Sequence, residues 1–475
     1  MKKKPYCLIA FVFVFHILLL LGCDKSKEMC PDTILDIDAN QIDEPDIIAN
    51  EHRDEKLVYS DFQFPTVTDF LVVYMEIDDN DFWNIALESF RKLYPNVEVV
   101  TKRFEQDDFL ATIRTELPAG KGPDLLFCVD TYLPDIYKSM ATQTFVDLTP
   151  YMRFDEDFCE EDYNDGVMRG GKLNGRQYLV PVFYELSCVT TSEELLRESG
   201  IDPSTLDNFE GLYQACVKFH DSNPDAPLFQ IGADTNNLNQ VYQYSGFRLI
   251  DYETDTVRFN EERFKCMVDI CKLFYVKDPP RPFFMMDWAA VASRTCMFAN
   301  CGSTIFNYLN SYADLNYYVG ETPILYTFPN ESNGISARIS RFAAVPIGAE
   351  NKLNGYRMLK VLLDMEVQTG IPESQNKQAP SPMISAMGLP VNREAIKRSI
   401  EYYAQEYMER TGGEITDEDK NYIYDLTESV TDSVLIPTEL FKIYKKAVMP
   451  YILDKRSFET ILEGLKESLE IYKDE

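Results

Sequence analysis

The sequence predicts an α/β fold built on a parallel sheet covered by helices. Short apolar runs at Phe70 to Tyr74, Val97 to Val100 and Leu125 to Val129 alternate with stretches whose apolar residues recur at helical spacing. Parallel strands need crossover connections of helical length, and the intervening stretches supply them. A chain of 475 residues, 45% of them hydrophobic, has enough apolar surface for more than one core.

Each element follows from its residues. Phe70-Leu-Val-Val-Tyr74 is a short β run. The acidic stretch Asp78 to Asp81 then offers N-cap residues. Phe82, Ile85, Ala86, Phe90 and Leu93 follow at helical spacing and stop at Pro95, whose ring and missing N–H end a helix. Val97 to Val100 is the second strand. Phe109, Ile113 and Leu117 mark a second helix, closed by Pro118-Ala-Gly120. Leu125 to Val129 is a third strand, apolar on both faces, as in a sheet covered on both sides. Far downstream, Phe458, Ile461, Leu465 and Leu469 define a C-terminal helix over Ser457 to Tyr472.

Charge narrows the function. Asp and Glu total 78 against 46 Lys and Arg, a formal net charge of −32. Such a chain lacks the basic surface that displaces phosphate counterions, which excludes non-specific nucleic-acid binding. Three histidines argue against His-rich metal sites and most His-based catalysis.

The first 22 residues read as an export signal, with Lys2, Lys3 and Lys4 ahead of an apolar core from Leu8 to Leu21. Leu20-Leu21-Gly22-Cys23 resembles the bacterial lipobox, which implies that Cys23 is lipidated and becomes the mature N-terminus. Two or more acyl chains hold a protein to a bilayer far better than one. The expected location is therefore the extracytoplasmic face of the cell membrane, lipid-anchored. Residues 23–65 are rich in Asp and Glu, lack a sustained period, and read as an acidic tether. Asp36-Ile-Asp38-Ala-Asn40 mimics the start of a calcium loop. Gln41 replaces its turn glycine and Ile47 its bidentate glutamate, so no metal site is expected there.

Cys7 leaves with the signal and Cys23 is claimed by lipid, so nine of the 11 cysteines remain. An odd number leaves at least one thiol free or paired between chains. No CxxC occurs, which removes the usual zinc and thioredoxin spacings. Cys128, Cys188 and Cys216 sit in apolar runs as small hydrophobes. Cys266/Cys271 and Cys296/Cys301 are candidate cross-links between neighbouring elements.

A set of motifs then carries a resemblance. In order they are Phe90-x3-Tyr94-Pro95 with Val97-x-Val99, Leu117-x-Ala119-Gly120-x-Gly122-Pro123-Asp124, Phe145-Val-Asp147-Leu-Thr-Pro150, and Gly175-x2-Tyr178-x-Val-Pro181. Glu194-Leu-Leu196-x3-Gly200-Ile201 and Gly388-Leu-Pro390-Val-Asn392 follow. Over roughly residues 66–475 this resembles the extracellular solute-binding family that feeds sugar-importing ABC transporters, the family of maltose-binding protein.

The resemblance implies a two-lobed periplasmic-binding-protein-like fold, with crossover hinge strands and a ligand cleft between α/β lobes. It divides the chain into lobe 1, residues 66–183 with 341–389, and lobe 2, residues 184–340 with 390–475. Crossings fall near Pro181 to Leu186, Arg338 to Val345 and Leu389 to Val391. It further implies a monomer without cofactor that passes a solute, a sugar or oligosaccharide, to ABC permease subunits.

Ligands of open sheets bind beyond the carboxyl ends of strands. Candidate ligand-binding residues are therefore Tyr74 and Glu76 after the first strand, Asp130 and Tyr132 after the third, and Tyr184 and Glu185 at the first crossing. Trp288 and Tyr308 are candidate aromatic platforms in the second lobe. Carboxylates accept bidentate hydrogen bonds from sugar hydroxyls, and aromatic faces stack on a pyranose.

The competing classes are an exported glycosidase using two carboxylates, and a surface scaffold or adhesin. No pattern picks out a catalytic pair, and GxSxG and HExxH are absent from the sequence. Ser89-x-x-Lys92 matches SxxK but lies inside the first amphipathic helix. No enzyme is expected.

Overall fold

The computed structural model describes residues 59, 62–76, 80–129, 133, 135–186, 188–230, 241–242, 245–275, 286–370 and 387–474. The export signal, Cys23, most of the tether, Asp130 and Tyr132 lie outside the described residues.

Strand β1 is Phe70–Glu76, β2 is Glu98–Phe104 and β3 is Leu125–Cys128. β1 pairs in parallel with both, with Leu71 opposite Val99 and Tyr74 opposite Leu126. The two faces feed separate cores. Leu71, Val73, Met75, Leu125 and Phe127 enter one, while Tyr74, Leu126 and Cys128 enter the other. This is why the third apolar run shows no alternation in sequence.

The helix Asn80–Leu93 covers the first of these faces. Phe82, Trp83, Ala86 and Phe90 are buried on it, and each large side chain contributes about 1.5–3 kcal/mol. Asp81 in its first turn and Arg91 and Lys92 in its last complement the helix dipole.

A short hairpin follows, β4 (Lys172–Leu173) with β5 (Arg176–Gln177). β6 is Leu179–Leu186, β7 is Cys188–Ser192, β8 is Ala299–Asn300 and β9 is Pro323–Thr327. β10 is Ile335–Ala344, β11 is Leu389–Pro390 and β12 is Val430–Val434. Among the described residues seven strands form the large sheet, in the order β11-β6-β10-β3-β1-β2 with β12 joined to β10. The three segments expected to carry the chain between lobes are thus neighbours, lying side by side as β11, β6 and β10.

The sheet is mixed rather than wholly parallel, because β10 runs antiparallel to both β3 and β6. β10 follows β9 of a second sheet and pairs with strands more than a hundred residues earlier in the chain. That long-range return is not written in any local period.

A second sheet, β8-β7-β9, is antiparallel throughout. It is surrounded by a separate core that draws on the helices Phe209–Ser222, Glu261–Leu273, Thr438–Ile452 and Phe458–Asp474. The last of these buries Phe458, Ile461, Leu465 and Leu469, the four residues whose spacing defines it in the sequence. Ile396, Ile400 and Ile423 pack instead in the core of the large sheet, as do Tyr308 and Leu325.

Candidate functional site

The carboxyl ends of β1, β3 and β6 and the middle of β10 carry two pairs of opposite charges. Glu76, the last residue of β1, is buried. Its Oε1 accepts the Val129 N–H at 2.6 Å, and its Oε2 lies 3.5 Å from Arg341 Nη2. Glu185, on β6, is 30% exposed at its side chain and sits 3.5 Å from Arg338 Nη1.

Both arginines belong to β10, three residues apart. The register against β6 slips by one residue at Ser340 and slips back between Arg341 and Phe342, a local bulge after which the ladder resumes its original register. A bulge of this kind re-aims the side chains beside it. The Ser340 hydroxyl donates to the Met387 carbonyl at 2.6 Å, tying the bulge to the approach to β11.

The remaining sequence-predicted residues fall in different surroundings. The Tyr74 ring is buried in the core on the sheet face turned away from the helix Asn80–Leu93. Its hydroxyl donates to Glu116 Oε2 and accepts from Lys102 Nζ, each at 2.8 Å, and burial pushes its pKa up. The Tyr184 ring is fully buried, and its hydroxyl donates to the Thr427 carbonyl at 3.4 Å. Tyr308 is fully buried on the helix Ile305–Asp314, and its hydroxyl has no hydrogen-bond partner among the described residues. Cys188, Cys301, Glu185 and Tyr184 are its polar neighbours, and burial raises its pKa first of all.

Trp288 is half-buried on the second core and stacks on Tyr318, centroids 5.1 Å apart and planes 28° from parallel. Tyr317 meets Tyr318 edge to face, and both tyrosines are exposed. Tyr308 thus has Tyr184 and Glu185 near it, and Glu76 and Glu185 each pair with an arginine of β10. Trp288 lies on the second core.

Sequence reasoning passed over Arg338 and Arg341 as site residues. The available signal was two arginines inside the ten-residue strand run Ile335–Ala344. A charge inside a strand buried on both faces needs a partner. The Tyr317-Tyr318 pair was also passed over.

A hollow of about 560 Å³, lined by Tyr94, Pro95 and Arg357, opens at the amino end of β1 and β2, away from the charged cluster. Among the described residues no group of three or more His, Cys, Asp or Glu is placed to hold a metal ion. Among the described residues no helix is long and apolar enough to cross a membrane. No disulfide joins the eight described cysteines. Cys296 is buried in the second core, whereas Cys301 packs with Cys188 in the first.

The chain was compared with known families. Residues 76–262 match bacterial extracellular solute-binding proteins. The resemblance read from the motifs and this match agree, and the matched span begins at Glu76. The fold agrees as well. The sugar-binding protein MalE of Xanthomonas citri superposes with a TM-score of 0.59 at 12% identity, over 85% of this chain and 97% of that one. The cyclic alpha-maltosyl-1,6-maltose binding protein of Arthrobacter globiformis gives a TM-score of 0.56 at 15% identity, over 86% and 99%. A periplasmic oligogalacturonide binding protein of Yersinia enterocolitica gives 0.56 at 14%, over 85% and 99%. At these identities the likeness is one of fold. The architecture is that of the periplasmic-binding-protein-like class.

Proposed function

We propose that this chain is the extracytoplasmic substrate-binding component of an ABC importer and captures a sugar or oligosaccharide. The observation that carries the reading is the placement of Glu76 and Glu185. Each is held by an arginine of β10 beside the carboxyl ends of β1 and β3, in a fold shared with solved sugar-binding proteins. A ligand at this point meets carboxylate acceptors and guanidinium donors together, the complement of a ring of hydroxyls. Tyr184 and Tyr308, fully buried beside Glu185, back the same neighbourhood, and the Trp288–Tyr318 stack offers an aromatic face to a pyranose.

In this reading residues 66–183 with 341–389 form one lobe and residues 184–340 with 390–475 the other. β6, β10 and β11 cross between them. Cys23 carries the lipid that retains the protein at the membrane, and the closed form is what the permease recognises. The protein is a carrier, without turnover of its solute.

A thermal-shift screen of residues 24–475 against mono- and oligosaccharides, followed by calorimetry of each hit, tests this. A saturable rise in melting temperature follows from binding to the native state alone. Release of hydrolysed sugar by the pure protein would replace the carrier reading with the enzyme one.

A further inference from the structure

We propose that Cys188 and Cys301 form a dithiol–disulfide couple where the large sheet passes into the small one. Cys188 opens β7, two positions after the last residue of β6. β7 pairs antiparallel with β8 through Val189 opposite Asn300 and Thr190 opposite Ala299. One further step along that ladder sets Cys188 against Cys301. The Cys301 Sγ lies 3.1 Å from the Cys188 carbonyl oxygen, and its side chain is within hydrogen-bonding reach of the Cys188 thiol. Directly opposed residues on antiparallel strands have Cα atoms about 4.5–5.5 Å apart. That separation falls inside the range of about 4.4–6.8 Å that a disulfide spans.

The surroundings favour a bond over two thiols. Both side chains are buried, each 3% exposed, among Tyr184, Tyr308 and Leu186. Burial pushes the Cys188 thiol up, with Cys301 adding to the effect. A thiol held protonated is a poor nucleophile, so the folded chain exchanges slowly and the bond forms as the chain folds. Outside the cytoplasm the oxidant is another disulfide, as on a thiol oxidase or in oxidised glutathione. One cysteine thiolate attacks it, releasing one thiol and leaving a mixed disulfide. The second thiolate displaces the other thiol. The pair loses two electrons and two protons, and the oxidant leaves as two thiols. The new bond closes a loop spanning 113 positions, which restrains the unfolded chain.

The test uses residues 24–475, unfolded in urea and refolded in oxidised or in reduced glutathione. Each sample is alkylated and digested without reduction for mass spectrometry. The expected result is a cross-linked peptide joining Cys188 to Cys301 in the oxidised sample, with a melting temperature several degrees above that of the reduced one. The Cys188→Ser, Cys301→Ser double variant should remove the difference in melting temperature between the two buffers. Both cysteines alkylated after oxidative refolding, either one bridged to another cysteine, or a redox-dependent melting shift that survives in the double variant would each overturn the assignment.

Discussion

Glu76 and Arg341 meet across the end of a strand that separates them. β3 lies between β1 and β10 in the sheet, so their side chains can approach to 3.5 Å where β3 has stopped. Cys128 is its last residue, and the next N–H, from Val129, donates to the same carboxylate at 2.6 Å. The strand end and the ion pair thus define one another.

Substituting Glu76→Ala removes the acceptor of the Val129 N–H and leaves Arg341, 20% exposed at its side chain, without this carboxylate. Breaking a largely buried pair from one side should cost about 3 kcal/mol. Glu76→Gln keeps an oxygen for the Val129 N–H and should cost about half as much. Urea unfolding of the three proteins checks the order, wild type above Gln above Ala.

The contrast between Glu76 and Arg341 also marks what the sequence can convey. β1, the helix Asn80–Leu93 and β3 are readable because their apolar positions repeat locally, and Glu76 is readable as the polar residue that ends an apolar run. Arg341 reaches the site through a bulge at Ser340 and an antiparallel return from the other sheet. Both are set by pairing partners well over a hundred residues away, which leave no period in the run itself. Tyr74 illustrates the converse. Alternation sets it on the same face of β1 as Glu76, two residues on, but its ring packs into the core there and Glu116 and Lys102 hold its hydroxyl.

Glu185 should matter to ligand more than to fold. Its pairing with Arg338 is long, at 3.5 Å, and about a third exposed on both sides. Such a pair contributes no more than about 1 kcal/mol to stability. Charge-assisted hydrogen bonds to ligand hydroxyls are worth about 1.5–3 kcal/mol. Glu185→Ala should therefore weaken binding about ten- to a hundredfold with little change in the urea midpoint. Calorimetry with the sugar found by screening, beside an unfolding curve, separates the two effects.

Asp155 makes stability acid-sensitive. Burial alone would raise its pKa, but the Lys360 ammonium at 2.7 Å, the Asp157 N–H and the Tyr356 hydroxyl at 3.0 Å outweigh it and hold the carboxyl below its ordinary value. A carboxyl depressed in the native state stabilises above its unfolded pKa, about 3.9. That stabilisation is lost as pH falls through the lower native value. Asp155→Asn should be less stable than wild type at pH 6, and the gap should close progressively below about pH 4. Chemical unfolding from pH 6 to pH 3 reads this out.

Gly388 is required by the backbone at the start of β11. Its φ of +121° is one that residues with a side chain rarely adopt, and an added Cβ would lie 2.5 Å from the Tyr184 carbonyl oxygen. Neither the strand pairing of Leu389 with Tyr184 nor the Ser340 bond to Met387 leaves easy room for retreat. Gly388→Ala should destabilise the protein by about 2–4 kcal/mol, measured as a fall in urea midpoint.

The last prediction concerns closure. Asp135 caps the helix Ile136–Ala141 with its Oδ1, which accepts the N–H groups of Tyr137 and Lys138. Its Oδ2 accepts the hydroxyls of Tyr472 at 2.6 Å and Tyr252 at 3.3 Å. Tyr137 stacks on Tyr252 at 4.9 Å, and the Lys138 ammonium lies 4.4 Å over the Tyr472 ring. In the proposed division Asp135 belongs to lobe 1, and both acceptor-seeking tyrosines to lobe 2. On that division these contacts join the two lobes, and opening of the lobes would break them. Removing the two hydroxyls should cost the closed state about 1–2 kcal/mol while leaving the helix cap intact. Tyr252→Phe with Tyr472→Phe should therefore enlarge the open fraction of the ligand-free protein. Apparent affinity falls with the closed, binding-competent fraction, here about five- to thirtyfold. Small-angle scattering should show a larger radius of gyration for the free double variant than for the free wild type, and the same smaller radius for both at saturating sugar. Identical profiles for the two free proteins, with equal affinities, would remove both hydroxyls from the closure mechanism.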